Sequence, residues 1–242
     1  MSSAPATPSV RVALVGMGRM GRALDTLAPE RGCVVVARLD APEMARGLTR
    51  TDLAGAQVAI EFSTPDTALG NAQALLSLGC PVVVGTTGWN AQLDRLEAAV
   101  ARSRTPALWS PNFSLGVQLF LAIAEDAARR ARELTGFDVH VVETHHAAKQ
   151  DAPSGTGIAI GERLEAGLGR AVSISSVRVG NVPGTHDVIM DAAFEQITLT
   201  HTARDRRVFA DGALAAARWL SAGRTAAVYT MRDVLGASPS SL

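Results

Sequence analysis

A run of apolar, mostly β-branched residues from Val10 to Val15 stops at Gly16, and helical character begins almost at once, from Arg19 to Leu27. The turn between them reads Gly16-Met17-Gly18-Arg19-Met20-Gly21, so three glycines sit where a strand hands over to a helix. The first permits the tight turn, the second lets backbone approach a pyrophosphate, and the third lets helix pack on strand. Further β-branched runs follow at Cys33 to Ala37, Val58 to Phe62, Val82 to Val84 and, more weakly, Ala107 to Trp109. Helical stretches at Asp66 to Leu78 and Ala91 to Arg102 lie between them. Strands alternating with helices of this length make a parallel sheet covered on both faces. The first half of the chain is therefore predicted to be a doubly wound α/β domain of Rossmann type.

From Leu115 the pattern changes. A long Ala-rich helix, Leu115 to Leu134, leads to a strand at Val139 to Val142, then a loop, then a helix carried by Ile158, Ala159, Ile160, Leu164 and Leu168. Strand-like runs at Val172 to Val179, Asp187 to Met190 and Glu195 to His201 follow one another without helices, which favours an antiparallel or mixed sheet and hence a second, α+β domain. The last helix, Ala213 to Leu220, and the segment Tyr229 to Leu235 have no sheet of their own to cover and are expected to fold back on the first domain. The expected division is 1–114 with 207–242, and 115–206.

The chain has 242 residues, ample for a core. Lys plus Arg and Asp plus Glu both number 23, so no charge excess draws in nucleic acid or an anionic membrane, and the expected partners are small molecules. Cys33 and Cys80 make neither a disulfide framework nor a zinc site; they are expected to be reduced core residues, and no metal is predicted. Neither a secretory signal nor an apolar run of the roughly 20 residues that span a membrane is present, which predicts a cytoplasmic location. Met1 to Ser9 reads as a frayed tail.

The glycine pattern alone also fits a turn with no ligand. Its context favours a dinucleotide, because Asp40 lies at the end of the second strand, roughly 20 residues on, where an acid hydrogen-bonds ribose hydroxyls. Gly16, Gly18, Arg19, Met20, Gly21 and Asp40 are thus the first cofactor candidates. Ala41 places no arginine beside the acid to neutralise a 2′-phosphate, although Arg38 and Arg46 are near in sequence. Of NADH and NADPH, NADH is favoured. Two more loops, Gly85-Thr86-Thr87-Gly88 and Ser110-Pro111-Asn112-Phe113-Ser114, follow the fourth and fifth strands, where ligands bind in open α/β sheets. Gly85, Thr86, Thr87, Ser110, Asn112 and Phe113 are expected to give backbone and hydroxyl contacts to the nicotinamide half; ordinary turn chemistry is the alternative.

The stretch from His145 to Thr156 (HHAAKQDAPSGT) has a different character. It packs a proton donor, His145, a cation, Lys149, and a helix start into one predicted loop, where catalytic residues concentrate. Pro153 forbids a continuous helix, and Asp151 and Ser154 both suit the N-cap beyond it. The amides of Gly155 and Thr156 would then be open to a carboxylate or phosphate. Taken singly, His145 and His146 read as surface residues, Lys149 as a solvated charge and Ser-Gly-Thr as a cap; their clustering favours an active site.

These motifs resemble those of the dihydrodipicolinate reductase family, also called 4-hydroxy-tetrahydrodipicolinate reductases, nearly end to end. The resemblance is carried by VGMGRMG, VGTTGW around Thr86, PNFSLGV around Phe113, ETHHAAKQDAPSGTG from Glu143, VRVGNVPGTH around Gly180, and MRDVL near the end. It implies reduction of a cyclic dicarboxylate with NADH or NADPH in lysine and diaminopimelate synthesis. It also implies His145 as proton donor, Lys149 as second catalytic group, His146, Gly155 and Thr156 on the substrate, and a homotetramer assembled through the second domain. The glycine fingerprint is one residue shorter than in many members, and the arginine often found beside the acid is absent; both bear on cofactor choice. Another two-domain nicotinamide-dependent reductase or amino-acid dehydrogenase would share the fingerprint without needing the histidine and lysine loop. A non-catalytic nicotinamide-binding sensor would bind cofactor without turnover.

Overall fold

The computed structural model describes residues 9–134 and 136–236. The tail expected over Met1 to Ser9 falls, apart from Ser9, outside them. The chain divides into two compact units, Met1–Ser114 with Phe209–Leu242, and Leu115–Val208. The return crossing thus falls between Val208 and Phe209, two residues later than the sequence suggests.

The first unit is a six-stranded sheet in the order β10-β5-β4-β3-β1-β2, with every described pairing parallel. Its strands are β1 (Val10–Val15), β2 (Cys33–Leu39), β3 (Val58–Glu61), β4 (Val82–Val84), β5 (Ala107–Trp109) and β10 (Val228–Tyr229). Its helices are α1 (Arg19–Leu27), α2 (Ala41–Ala45), α3 (Pro65–Ser77), α4 (Leu93–Ser103), α7 (Arg207–Leu220, whose first two residues belong to the other unit) and α8 (Met231–Val234). Strand order reverses at β1 and β3, and in such sheets ligands sit at the carboxyl ends of the strands at that point. The core is continuous from Ala13 and Val15 through Ala59, Leu75, Val82 and Val84 to Leu96. β10 was not legible: Val228 pairs with Ala107 and Tyr229 with Leu108, so the closing segment extends the sheet by a strand before Thr230 caps α8.

The second unit is a mixed sheet in the order β7-β6-β8-β9, built from β6 (Asp138–His145), β7 (Ser173–Arg178), β8 (Thr185–Ala192) and β9 (Glu195–Thr202). β6 runs parallel to β7 and antiparallel to β8. Helices α5 (Leu115–Arg132) and α6 (Gly155–Leu168) cover one face. In α5 the buried residues Val117, Phe120, Leu121, Ala124, Ala128 and Ala131 recur at the three-to-four spacing of a single face. α5 stops at Arg132 rather than Leu134, because the amides of Glu133 and Leu134 bond to carbonyls only three residues back and tighten the last turn. β6 differs most from expectation. It runs on through Glu143, Thr144 and His145, which are polar in sequence but paired: Glu143 and Thr144 with β7 and β8 on either side, His145 with β7. His145 is therefore the last residue of a central strand and not a loop residue.

Candidate functional site

At the end of β1 the glycines play separable parts. Gly16 has φ +89, and a Cβ there would lie 2.2 Å from the Phe62 carbonyl oxygen; one on Gly21 would lie 2.1 Å from that of Gly16. Gly18 meets nothing within 4 Å. It is the N-cap of α1, with no side chain bonded to that helix end and no acid in the first turn. This open, uncapped helix start fits the pyrophosphate of a dinucleotide. Arg19 and Met20 begin the helix behind it.

Asp40 caps α2: its carboxylate accepts from the Ala41 amide at 3.1 Å, while its own amide donates to Glu43 at 2.9 Å. The two arginines that could have countered it are engaged elsewhere. Arg38 grips Asp25 through two bonds of 2.8 and 2.6 Å, and Arg46 grips Asp52 at 2.6 Å.

In the later loops the Thr86 and Ser110 hydroxyls are bonded within the protein. The Thr86 hydroxyl donates to buried Glu61 at 2.7 Å and accepts from the Ser63 amide, and the Ser110 hydroxyl donates to the Asn112 carbonyl at 2.7 Å. The Thr86 hydroxyl ties its loop to the end of β3 and the Ser110 hydroxyl holds its own loop, while Thr87 is exposed. Asn112 accepts from the Ser114 amide at 2.9 Å. Phe113 is buried edge-on to Phe62, whose ring also fills the space a Cβ on Gly85 would need. Burial pushes the Glu61 carboxyl above its ordinary value, against the hydrogen bonds of Ser63, Thr86 and Asn71.

In the second unit, strand alternation turns Val139, Val141, Glu143 and His145 toward the covered face, while β8 sends His186, Val188 and Met190 the same way. Glu143 is fully buried. Its Oε1 accepts from the Ser154 amide at 3.0 Å, from Ser176 at 2.8 Å and from Arg178 at 2.8 Å. Its Oε2 lies 3.4 Å from His145 Nδ1 and 3.8 Å from His186 Nε2. Burial drives the Glu143 carboxyl up, but the bonds from Ser154, Arg178 and Ser176 together outweigh it and hold the group at about 2. Burial lowers His145, with Glu143 pulling the other way and Lys149 and Arg178 adding to the fall. His186 is pushed down to about 4, by burial and then by His145.

Among the described residues, Glu143, His145 and His186 bring donor atoms within 4.8 Å of one another, a spacing open to a metal. However, the single carboxylate is already neutralised by the Arg178 guanidinium, so a divalent ion there would bury uncompensated positive charge. The trio is suited to holding protons.

The loop beyond β6 is docked on this network through the Ser154 amide and through Arg178, which also donates to the Asp151 carbonyl. Ser154, not Asp151, is the N-cap of α6; its hydroxyl accepts from the Gly157 amide at 3.0 Å. Gly155 is exposed and Thr156 half-buried at this helix end. Lys149, the single lysine of the chain, is bound by Asp151 at 2.7 and 2.9 Å. His146 Nε2 lies 3.4 Å from the Arg206 guanidinium. Sequence reasoning passed over Glu143, Arg178 and His186 as site residues. For Glu143 and His186 the available signal was phase, since each lies two residues along its strand from a buried valine, Val141 and Val188, and so shares that valine's inward face.

Comparison with known proteins bears on both units. The family description "Dihydrodipicolinate reductase, N-terminus" matches residues 10–113, and "Dihydrodipicolinate reductase, C-terminus" matches residues 116–235. A 4-hydroxy-tetrahydrodipicolinate reductase of Thiobacillus denitrificans is 37% identical over 268 residues, covering 94% of this chain and 99% of the relative. One from Alkalilimnicola ehrlichii is 37% identical with the same coverage. Among solved structures, a dipicolinate-bound dihydrodipicolinate reductase from Paenisporosarcina superposes with a TM-score of 0.77 at 20% identity, covering 92% of this chain and 97% of that one. An aspartate dehydrogenase from Thermotoga maritima shares the fold more distantly, with a TM-score of 0.52 at 12% identity over 89% of this chain and 98% of that one.

Proposed function

Because the chain belongs to the dihydrodipicolinate reductase family of nicotinamide-dependent enzymes, we propose a division of labour in which β6 and its following loop carry the substrate chemistry and the β1 turn holds the cofactor. The reaction is reduction of 4-hydroxy-tetrahydrodipicolinate to tetrahydrodipicolinate. Loss of water leaves a cyclic dicarboxylate with a conjugated carbon–nitrogen double bond. When bound, the reduced nicotinamide supplies a hydride to the conjugate position. Electrons then move toward nitrogen, and the enamine-like carbon must accept a proton.

His145 is the proposed donor of that proton. What carries this reading is its burial against Glu143 at the head of the loop that leads to the start of α6. His146 and the amides of Gly155 and Thr156 bind substrate carboxylate, favoured by the positive helix end. Lys149 holds the other carboxylate or steadies developing negative charge. Gly16, Gly18, Arg19, Met20, Gly21 and Asp40 hold the adenosine and pyrophosphate end, and the backbone of Gly85, Thr86, Thr87, Ser110, Asn112 and Phe113 meets the nicotinamide end. The direct test mixes the purified protein with NADH or NADPH and freshly generated substrate while following reduced-nicotinamide absorbance. No substrate-dependent oxidation with either cofactor would reject the reading and favour a binding module.

Lys149→Ala is expected to raise KM and lower kcat together, since one ammonium serves both ground and transition states. Unchanged kinetics would leave Lys149 as a half-buried ion-pair partner of Asp151 and nothing more. Cofactor preference is tested by Asp40→Asn, which keeps a capping side chain and removes the charge that favours ribose hydroxyls over a 2′-phosphate. The variant is expected to lose efficiency with NADH relative to NADPH. A wild-type preference for NADPH that vanishes in Arg38→Ala or Arg46→Ala would reverse the assignment.

The proposed assembly is a homotetramer joined through the outer face of the second sheet, where Val142, Ile189 and His140 are only half covered and Val177 is 42% exposed. Light scattering on the purified protein reads this directly. A cytoplasmic setting suits the two buried free cysteines.

A further inference from the structure

We propose that Glu143 is the positioning residue that decides which nitrogen of His145 carries the transferable proton. The inference rests on the reading of His145 as proton donor. Three of the five polar groups around the Glu143 carboxylate crowd onto Oε1, where Ser154, Ser176 and Arg178 bond it. Oε2 is left buried without a hydrogen bond of good geometry, as is His145 Nδ1, and the two face each other at 3.4 Å. A small rotation of the imidazole closes that gap. An ionised carboxylate can only accept, so the nitrogen facing it must carry hydrogen. This leaves Nε2 as the position that gains and loses a proton.

Nε2 points toward Gly184, where a Cβ would come within 3.0 Å of it, so the missing side chain there keeps that nitrogen uncovered. In the donation step the Nε2–H bond breaks, its electron pair stays on Nε2 and the proton bonds to the substrate carbon. The ring is left neutral, with Nδ1–H on Glu143. Glu143 and Asp151 favour the charged ring, Lys149 and Arg178 oppose it, and His186 from β8 stacks edge-on at 5.2 Å. Of these, Glu143 is the group that addresses Nδ1.

The test reads the tautomer. In the full chain labelled with nitrogen-15 histidine, His145, assigned by its loss in His145→Gln, is expected to carry hydrogen on Nδ1 in its neutral form. A neutral ring protonated on Nε2 would overturn the proposal. In Glu143→Gln, the amide NH₂ turned toward the ring would favour the other tautomer. Turnover should fall by on the order of 10²-fold, the lower end of what general acid catalysis is worth. Dipicolinate and NADH affinities should hold, and Glu143→Asp should recover part of the loss. Wild-type turnover in Glu143→Gln would also overturn it. Should that variant fail to fold, the wild-type tautomer decides alone. An active His145→Gln enzyme defeats the proton-donor reading itself, whereas an inactive His145→Gln variant together with a neutral wild-type ring protonated on Nε2 defeats only the part assigned to Glu143.

Discussion

His145→Gln is expected to lower turnover by about 10²–10⁴-fold, the range that a general acid contributes, while NADH affinity stays near wild type. Glutamine keeps a polar group of similar reach but offers no proton of suitable acidity. The glycine turn at Gly16 to Gly21, proposed to hold the cofactor, lies in the other unit and is not altered. The pH profile gives a second handle. A donor must be protonated, so kcat/KM should fall as pH rises through the His145 pKa, which burial sets below the ordinary imidazole value. That limb should be missing from the residual activity of the variant. Near-wild-type turnover, or an unchanged alkaline limb, would remove His145 from the chemistry.

Arg178→Met is expected to destabilise the folded protein by about 3–5 kcal/mol at neutral pH, because it strips the counter-charge from a carboxylate that has no access to water. Glu143 is held at about 2 in the folded state against an ordinary 4.5. It therefore contributes stability that is complete above the ordinary value and is lost as pH falls through the folded one. Without the guanidinium the folded carboxyl rises, so the deficit should be largest near neutrality and narrow as the pH is lowered. Denaturant unfolding of both proteins across that range measures it. A deficit that does not change with pH, or none at all, would show that Ser154 and Ser176 hold Glu143 without help.

Local signals were legible because their causes are local. The glycine turn at Gly16 to Gly21, the strand runs of the first half and the helix beyond Ser154 depend on neighbours a few residues apart, through sterics and side-chain periodicity. Family membership likewise follows from motifs read in line, and the comparisons over both halves agree with it. The extent of β6 was not legible, since Glu143, Thr144 and His145 look like a loop until β7 and β8 pair with them. Nor was β10, whose two residues become a strand only through β5, more than a hundred positions earlier in the chain.

By itself, then, the sequence determined the α/β character of the first unit, the glycine turn after β1 and the candidate acid His145. Tertiary structure alone decided what surrounds that acid. Glu143 and His145 come from β6, Ser176 and Arg178 from β7, His186 from β8 and Ser154 from the start of α6, and they meet only when the strands are in register. The physical reason is that a buried charge is tolerable only with its partners in place. Those partners are set by pairing across the sheet, which no stretch of sequence encodes locally.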